Sequence, residues 1–252
     1  MFDVNCSIGH WPFRMLENNS PESLKNYLRE YGVTAAAITH NHSACYMNVQ
    51  DANWELFRAL EQDKSNFFRG VATLNPLYAA WEKDLKTCAE TMNFRALRLL
   101  PAYHNYTLAS SAASEIIAAA GEAGMLVVIP NEIVNYRQRH WMENGIPQGT
   151  ENLMSAARRF PNVNFLFMET AFPEKPTEPY PANAYFEMSR FRNCFGRALD
   201  NFIKLVGADH VLFGSGAPFK EIEPALLKLH HAHIADSERE LISHVNAEKW
   251  FN

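Results

Sequence analysis

Closely spaced cysteines are missing from this chain. Cys6, Cys45, Cys88 and Cys194 stand far apart with no C-x-x-C. That excludes a zinc ribbon or finger and leads us to expect reduced thiols in a cytoplasmic protein. No run of eighteen apolar residues occurs, so no membrane-spanning helix is expected. The opening segment, MFDVNCSIGH, lacks a basic stretch followed by an apolar one, so no secretory leader is expected. Positive charge is scarce as well. The 23 Lys and Arg against 28 Asp and Glu give a net charge of −5. No basic stripe is available to neutralise phosphates, so nucleic acid is not an expected partner. The chain has 11 glycines, none in a G-x-G-x-x-G, which weighs against a doubly wound dinucleotide-binding sheet.

What the chain has is enough apolar content for a substantial core: 252 residues, 47% hydrophobic and 20% charged. Short β-branched or aromatic runs alternate with longer stretches of helical period. Strands are expected at residues 2–6, 34–39, 67–74, 96–100, 125–129, 163–168, 184–188 and 211–213. Helices are expected at 21–31, 51–62, 79–92, 111–123, 150–159, 193–206, 221–231 and 237–250. Ser20 and Pro21 form a start signal for the first helix, and Gly32 ends it. A Pro-rich stretch, 172–181, stands where one helix should be. Runs such as LVVI and FLFM suit parallel strands buried on both faces. Eight strands separated by helices predict an α/β fold, a single distorted (β/α)8 barrel spanning residues 1–252 as one domain.

In such a barrel the chemistry sits at the C-terminal ends of the strands. Those ends carry Asn5, Ser7 and His10; His40, His42 and Cys45; Arg98, Tyr103 and His104; Asn131; Glu169; Glu187 and Ser189; and Ser215 with Gly216. Cys6 alternates to the opposite face and is expected to pack against helices.

The segments FDVNCSIG, RALRLLPAYHNYTL, LFGSGAPF and HVNAEKWF, in that order, resemble the amidohydrolase superfamily, and most closely its amidohydrolase-related branch of metal-dependent hydrolases. The resemblance implies a TIM barrel and a hydrolase, with decarboxylases as relatives. It also implies a metal held by D-x-H-x-H on strand 1, histidines after strands 5 and 6, and the Asp of G-S-D on strand 8. Here those positions read Asn5 and Ser7, Asn131, Glu169 and Gly216. Amide, hydroxyl and a bare glycine are poor substitutes for imidazole and carboxylate, so no metal is expected there.

The reading that follows is a metal-independent hydrolase of a small carboxylate-bearing ester, lactone or amide. Arg98 would clamp the carboxylate bidentately; its bland alternative is an ion pair with Glu169 or Glu187. His104 or Glu169 would activate water. Asn5, Ser7, His10, His40, His42, Tyr103 and Asn131 would bind the substrate. A metal on His40 and His42, two apart on one strand face, is the lesser alternative for a cofactor, which is otherwise expected to be none. Two further readings stay open: a decarboxylase or other lyase, and a non-catalytic ligand-binding or assembly protein. A mouth filled by Trp11, Tyr103 or Trp141 would favour the last. Expected partners are a small-molecule ligand and, through the aromatic loops, a second copy in a homodimer.

Overall fold

The computed structural model describes residues 1–143, 145–192 and 196–251. Eight parallel strands follow one another around the sheet in chain order. They are β1 (Phe2–Ile8), β2 (Ala35–His40), β3 (Phe68–Leu74), β4 (Ala96–Leu99), β5 (Leu126–Pro130), β6 (Phe165–Met168), β7 (Ala184–Glu187) and β8 (Val211–Leu212). Between and after them lie α1 (Pro21–Glu30), α2 (Val49–Gln62), α3 (Trp81–Lys86), α4 (Pro101–His104), α5 (Ser111–Glu122), α6 (Thr150–Arg159), α7 (Ala198–Val206), α8 (Glu223–His231), α9 (Asp236–Glu240) and α10 (Asn246–Phe251). This is the expected (β/α)8 barrel.

Closure of the ring rests on extended backbone beyond β8. Val4 N–H donates to Phe213 O at 3.0 Å, Gly216 N–H to Asn5 O at 2.9 Å and Ser7 N–H to Ala217 O at 3.0 Å. Asp3 reinforces this seam from the strand-1 side. Its Oδ1 accepts from Asn5 N at 2.9 Å and from Ser215 N at 3.0 Å.

Alternation along the strands divides the apolar residues into two sets. Val4, Ala37, Val71, Ala96, Val128, Leu166, Met168 and Leu212 fill one core with Phe2. Phe2 stacks on Phe251 of α10 at 5.5 Å. The other set packs outward under the helices. No helix stands between β6 and β7 in the described residues. There Phe172 and Tyr180 of the Pro-rich loop do a helix's work. Phe172 meets Phe186 at 4.8 Å and Phe202 at 6.1 Å, and Tyr180 meets Phe186 at 5.3 Å. Burying such a ring stabilises by roughly 1.5–3 kcal/mol.

Several boundaries move. The expected helix at 79–92 is α3 continued by a π turn, Thr87–Thr91, and the one at 237–250 is α9, a π turn at Leu241–Val245, and α10. The helix expected from 193 is described from Ala198; residues 193–195, and with them Cys194, lie outside the described residues. Cys6, Cys45 and Cys88 are free thiols.

Candidate active site

Two carboxylates from adjacent strands meet inside the mouth of the barrel. Glu169 follows β6 directly, at φ +57°, which swings its side chain inward. Its Oε1 accepts from Asn5 Nδ2 at 2.6 Å. Its Oε2 lies 2.6 Å from Arg190 Nε and 2.7 Å from Lys220 Nζ. Burial alone would raise the Glu169 pKa, but the Lys220 and Arg190 charges outweigh it and hold the carboxyl below its usual range. Glu187, the last residue of β7, has no exposure. It accepts from Ser189 N and, at 2.9 Å, from Ser189 Oγ. Asn5 Nδ2 stands 3.3 Å from its Oε2. Burial, reinforced by the Glu169 charge, pushes Glu187 up to about 7. Lys220 Nζ also donates to Ser189 Oγ at 2.8 Å. The result is a continuous path Glu187–Ser189–Lys220–Glu169. Arg190 extends it outward to Glu132 at 3.0 Å, and Arg139 pairs with the other oxygen of Glu132 at 3.2 Å.

The opposite wall is organised by Arg98 of β4, which is 6% exposed. Its Nε donates to Thr73 Oγ1 at 3.0 Å, and Nη2 donates to Ser43 Oγ at 2.7 Å and to His40 O at 3.2 Å. All these acceptors are neutral. Among the described residues no carboxylate lies within ion-pair distance, so the alternative of a pair with Glu169 or Glu187 is not realised. Burial lowers the guanidinium pKa to about 9, which leaves it charged at neutral pH. His104 ends α4 and is buried. Its Nε2 donates to Ser43 O at 2.9 Å, and burial lowers its pKa to about 4, so the ring is neutral at pH 7.

Arg98, Asn5, Ser7, Thr39, Glu132 and Glu169 line a cavity of about 30 Å³ with Val4, Val71, Val128, Met168 and Phe219. That is room for one or two waters. An aromatic roof stands over it. The Trp11 ring meets Phe219 at 5.2 Å, and Phe13 and Tyr103 at 5.9 Å, all edge-on. Trp141 takes no part and is 82% exposed. Beyond Phe219 lies an open cleft of about 560 Å³, bordered by Arg14, Arg137, Arg190, Lys220, Glu17 and Glu221 among others. Phe219 lines both spaces.

The residues expected from sequence are thus divided. Asn5, Ser7, Arg98 and Glu169 converge on the cavity. Tyr103 belongs to the roof. Asn131 bonds Thr170 Oγ1 at 3.4 Å and Gly149 N at 3.2 Å, and His104 lies behind Ser43. His10, His40 and His42 gather outside, at and beyond the ends of β1 and β2, with the rings of His10 and His42 stacked at 6.4 Å. Lys220, Arg190 and Glu55 were not expected. Lys220 and Arg190 lie in loops past their strands. A missing acid at Gly216 is the signal that a cation nearby needed seeking.

The positions at which the resemblance implies a metal do not fit one. Asn5 turns amide N–H, not oxygen, toward the two glutamates. Asn131 is engaged elsewhere. A Cβ built on Gly216 would lie 2.7 Å from Lys220 Cε and 2.9 Å from Lys220 Nζ and Glu169 Oε1. The ammonium group already fills the cation's place beside Glu169.

Comparison with known proteins agrees with this architecture. The family model described as Amidohydrolase matches residues 8–252. No curated protein matches the chain. Among solved structures, a dihydroxybenzoic acid decarboxylase from Polaromonas sp. JS666, with bound manganese and 2-nitroresorcinol, is similar at 14% identity and TM-score 0.75, covering 99% of this chain and 96% of that one. A 5-carboxyvanillate decarboxylase from Sphingomonas paucimobilis is similar at 13% identity and TM-score 0.73, covering 99% and 98%. A probable 2-pyrone-4,6-dicarboxylic acid hydrolase from Acinetobacter baumannii, with citric acid bound, is similar at 12% identity and TM-score 0.68, with the same coverage.

Proposed function

The chain belongs to the amidohydrolase family, and from that premise we propose that it hydrolyses a small carboxylate-bearing ester, lactone or amide without a metal on the barrel axis. The observation that carries this reading is Arg98: a buried, charged guanidinium with neutral acceptors on Nε and Nη2 and, among the described residues, none on Nη1. An uncompensated buried charge is costly, and a substrate carboxylate supplies the missing partner through a charge-assisted bond. The cavity is water-sized, so entry requires the Phe219 and Trp11 rings to move aside.

The bound carboxylate lies against Arg98, and the reacting carbonyl faces Glu169 and Lys220. The Lys220 ammonium polarises that carbonyl and stabilises the developing oxyanion. Glu169, held ionised by two cations, takes a proton from the attacking water as the water oxygen bonds to the carbonyl carbon, and returns it to the leaving oxygen or nitrogen as the bond from that atom to the carbon breaks. Ser189 passes a proton between Lys220 and Glu187, whose pKa near 7 suits exchange in either direction. Ser7 contributes a hydroxyl to the cavity wall. His104 is a positioning residue that fixes the Ser43 turn and with it an acceptor of Arg98.

The test is a panel of aryl and alkyl carboxylates carrying a lactone, ester or amide, incubated with the protein in excess chelator. We expect acid release from at least one member. In Arg98→Met, kcat/KM should fall about 100-fold, the loss of two bonds to a charged group. Unchanged turnover in Arg98→Met refutes the assignment. Carbon dioxide release without hydrolysis instead identifies a decarboxylase, the activity named for two of the similar structures. The aromatic roof and the paired state of Glu169 favour one second reading, carboxylate binding without turnover. Saturable binding lost in Arg98→Met, with no product from any member, identifies it.

A further inference from the structure

The turn after β2 builds a polar cluster separate from the Glu169 network. Asn41–Ala44 form a 3-10 turn that places His42 just past the strand, and α2 brings Glu55 alongside. His42 Nδ1 lies 2.8 Å and His40 Nδ1 3.5 Å from the same oxygen, Glu55 Oε2. Tyr46 Oη stands 2.8 Å from His42 Nδ1 and donates to Glu55 Oε1 at 2.9 Å. The three donor atoms of His40, His42 and Glu55 lie within 4.8 Å of one another.

We propose that His40, His42 and Glu55 form a site for one divalent transition-metal ion of the zinc type. Two imidazoles and a carboxylate are a donor set that zinc takes readily. A tetrahedral ion about 2.0–2.1 Å from its donors holds them roughly 3.3 Å apart. The observed separations of 2.8 and 3.5 Å, with the third pair inside 4.8 Å, bracket that value. A brace tying the turn to α2 needs one imidazole on Glu55. Here two ring nitrogens converge on a single carboxylate oxygen, which is the arrangement of ligands around a centre. The ion displaces the long 3.3 Å bond from His42 N to His40 Nδ1. Its fourth position falls to Tyr46 Oη or to water, and the side chains of His42 and Glu55 are 24% and 34% exposed, which leaves a way in. The site stands apart from the positions at which the family resemblance implies a metal. It bears on the cavity indirectly: His40 O and Ser43 Oγ, acceptors of Arg98, belong to the turn the ion would fix.

The test is zinc chloride titration of the full chain by calorimetry, with cobalt(II) absorption as a second readout and circular dichroism to confirm folding. We expect one zinc per chain and a tetrahedral cobalt spectrum. His42→Gln and Glu55→Gln should each weaken zinc binding at least tenfold, and His230→Gln on the exposed end of α8 should leave it unchanged. Absence of saturable binding overturns the proposal. So does binding that survives both ligand changes, or binding lost in His230→Gln. None of these outcomes depends on turnover or on a ligand at Arg98.

Discussion

Replacing Gly216 by alanine probes the claim that a lysine fills the cation's place. The residue sits at φ +84°, where an L side chain costs about 1–2 kcal/mol. The new Cβ would lie 2.7 Å from Lys220 Cε. Lys220 is pinned by Glu169 and Ser189, so it yields only by giving up those bonds, a packing cost of about 1–3 kcal/mol. Together these predict a loss of about 2–5 kcal/mol. For a chain of this size each kcal/mol lowers Tm by about 2–4 °C, so a drop on the order of 10 °C is expected by calorimetry or urea unfolding. The two causes separate in a double-mutant cycle. Lys220→Ala removes the lysine clash and leaves the φ strain and the 2.9 Å approach to Glu169 Oε1, so the double variant should be more stable than the sum of the single changes by about 1–3 kcal/mol. Strict additivity would show that Lys220 does not occupy the space above Gly216.

Glu187 predicts a pH signature. Its folded pKa, near 7, lies above the ordinary 4.5, so the native state holds a proton that the unfolded chain releases. This contribution is full below about pH 4.5 and is lost as pH rises through 7. Glu187→Gln should flatten stability across that window, and an unchanged slope in urea titrations at pH 5 and 8 would contradict the assignment. Asn53 makes a different kind of prediction. Its Nδ2 donates to Thr73 O at 2.8 Å and its Oδ1 accepts from Thr73 N at 2.9 Å, so Asn53→Leu strands two buried backbone groups. A loss of about 2–5 kcal/mol is expected by urea unfolding, and a loss below 1 kcal/mol would refute the role. Tyr180→Ala should cost roughly 2–4 kcal/mol, because its ring stands in for a missing helix; thermal melts within 2 °C of the parent would argue otherwise.

The barrel is legible in the sequence because its strands are buried on both faces and read as unbroken apolar runs. Arg98 is legible for the same reason: a charge inside RALRLL stands out. Glu169 and Asn5 follow from strand ends. Lys220 does not, since a lysine eight residues past β8 is ordinary until the fold turns it back over Gly216. Glu55 lies thirteen residues beyond His42 on a helix, where nothing local marks it as a partner. The π turns at Thr87–Thr91 and Leu241–Val245 keep the helical period nearly intact, so only hydrogen bonding reveals them. His104 resembles a titrating base in sequence, while burial sets its charge state.

The seam between β1 and the segment after Leu212 has a consequence for the site. β8 is two residues long, and the backbone that completes it also carries Ser215, Gly216 and, one turn on, Lys220. The stave with the fewest ladder bonds is therefore the one holding the ammonium that pairs with Glu169. Gly216 N–H donates to Asn5 O, and Gly216 O accepts from Phe219 N at 3.0 Å and from Lys220 N at 3.2 Å, so one residue of that seam anchors both the ring between the two spaces and the lysine beside Glu169.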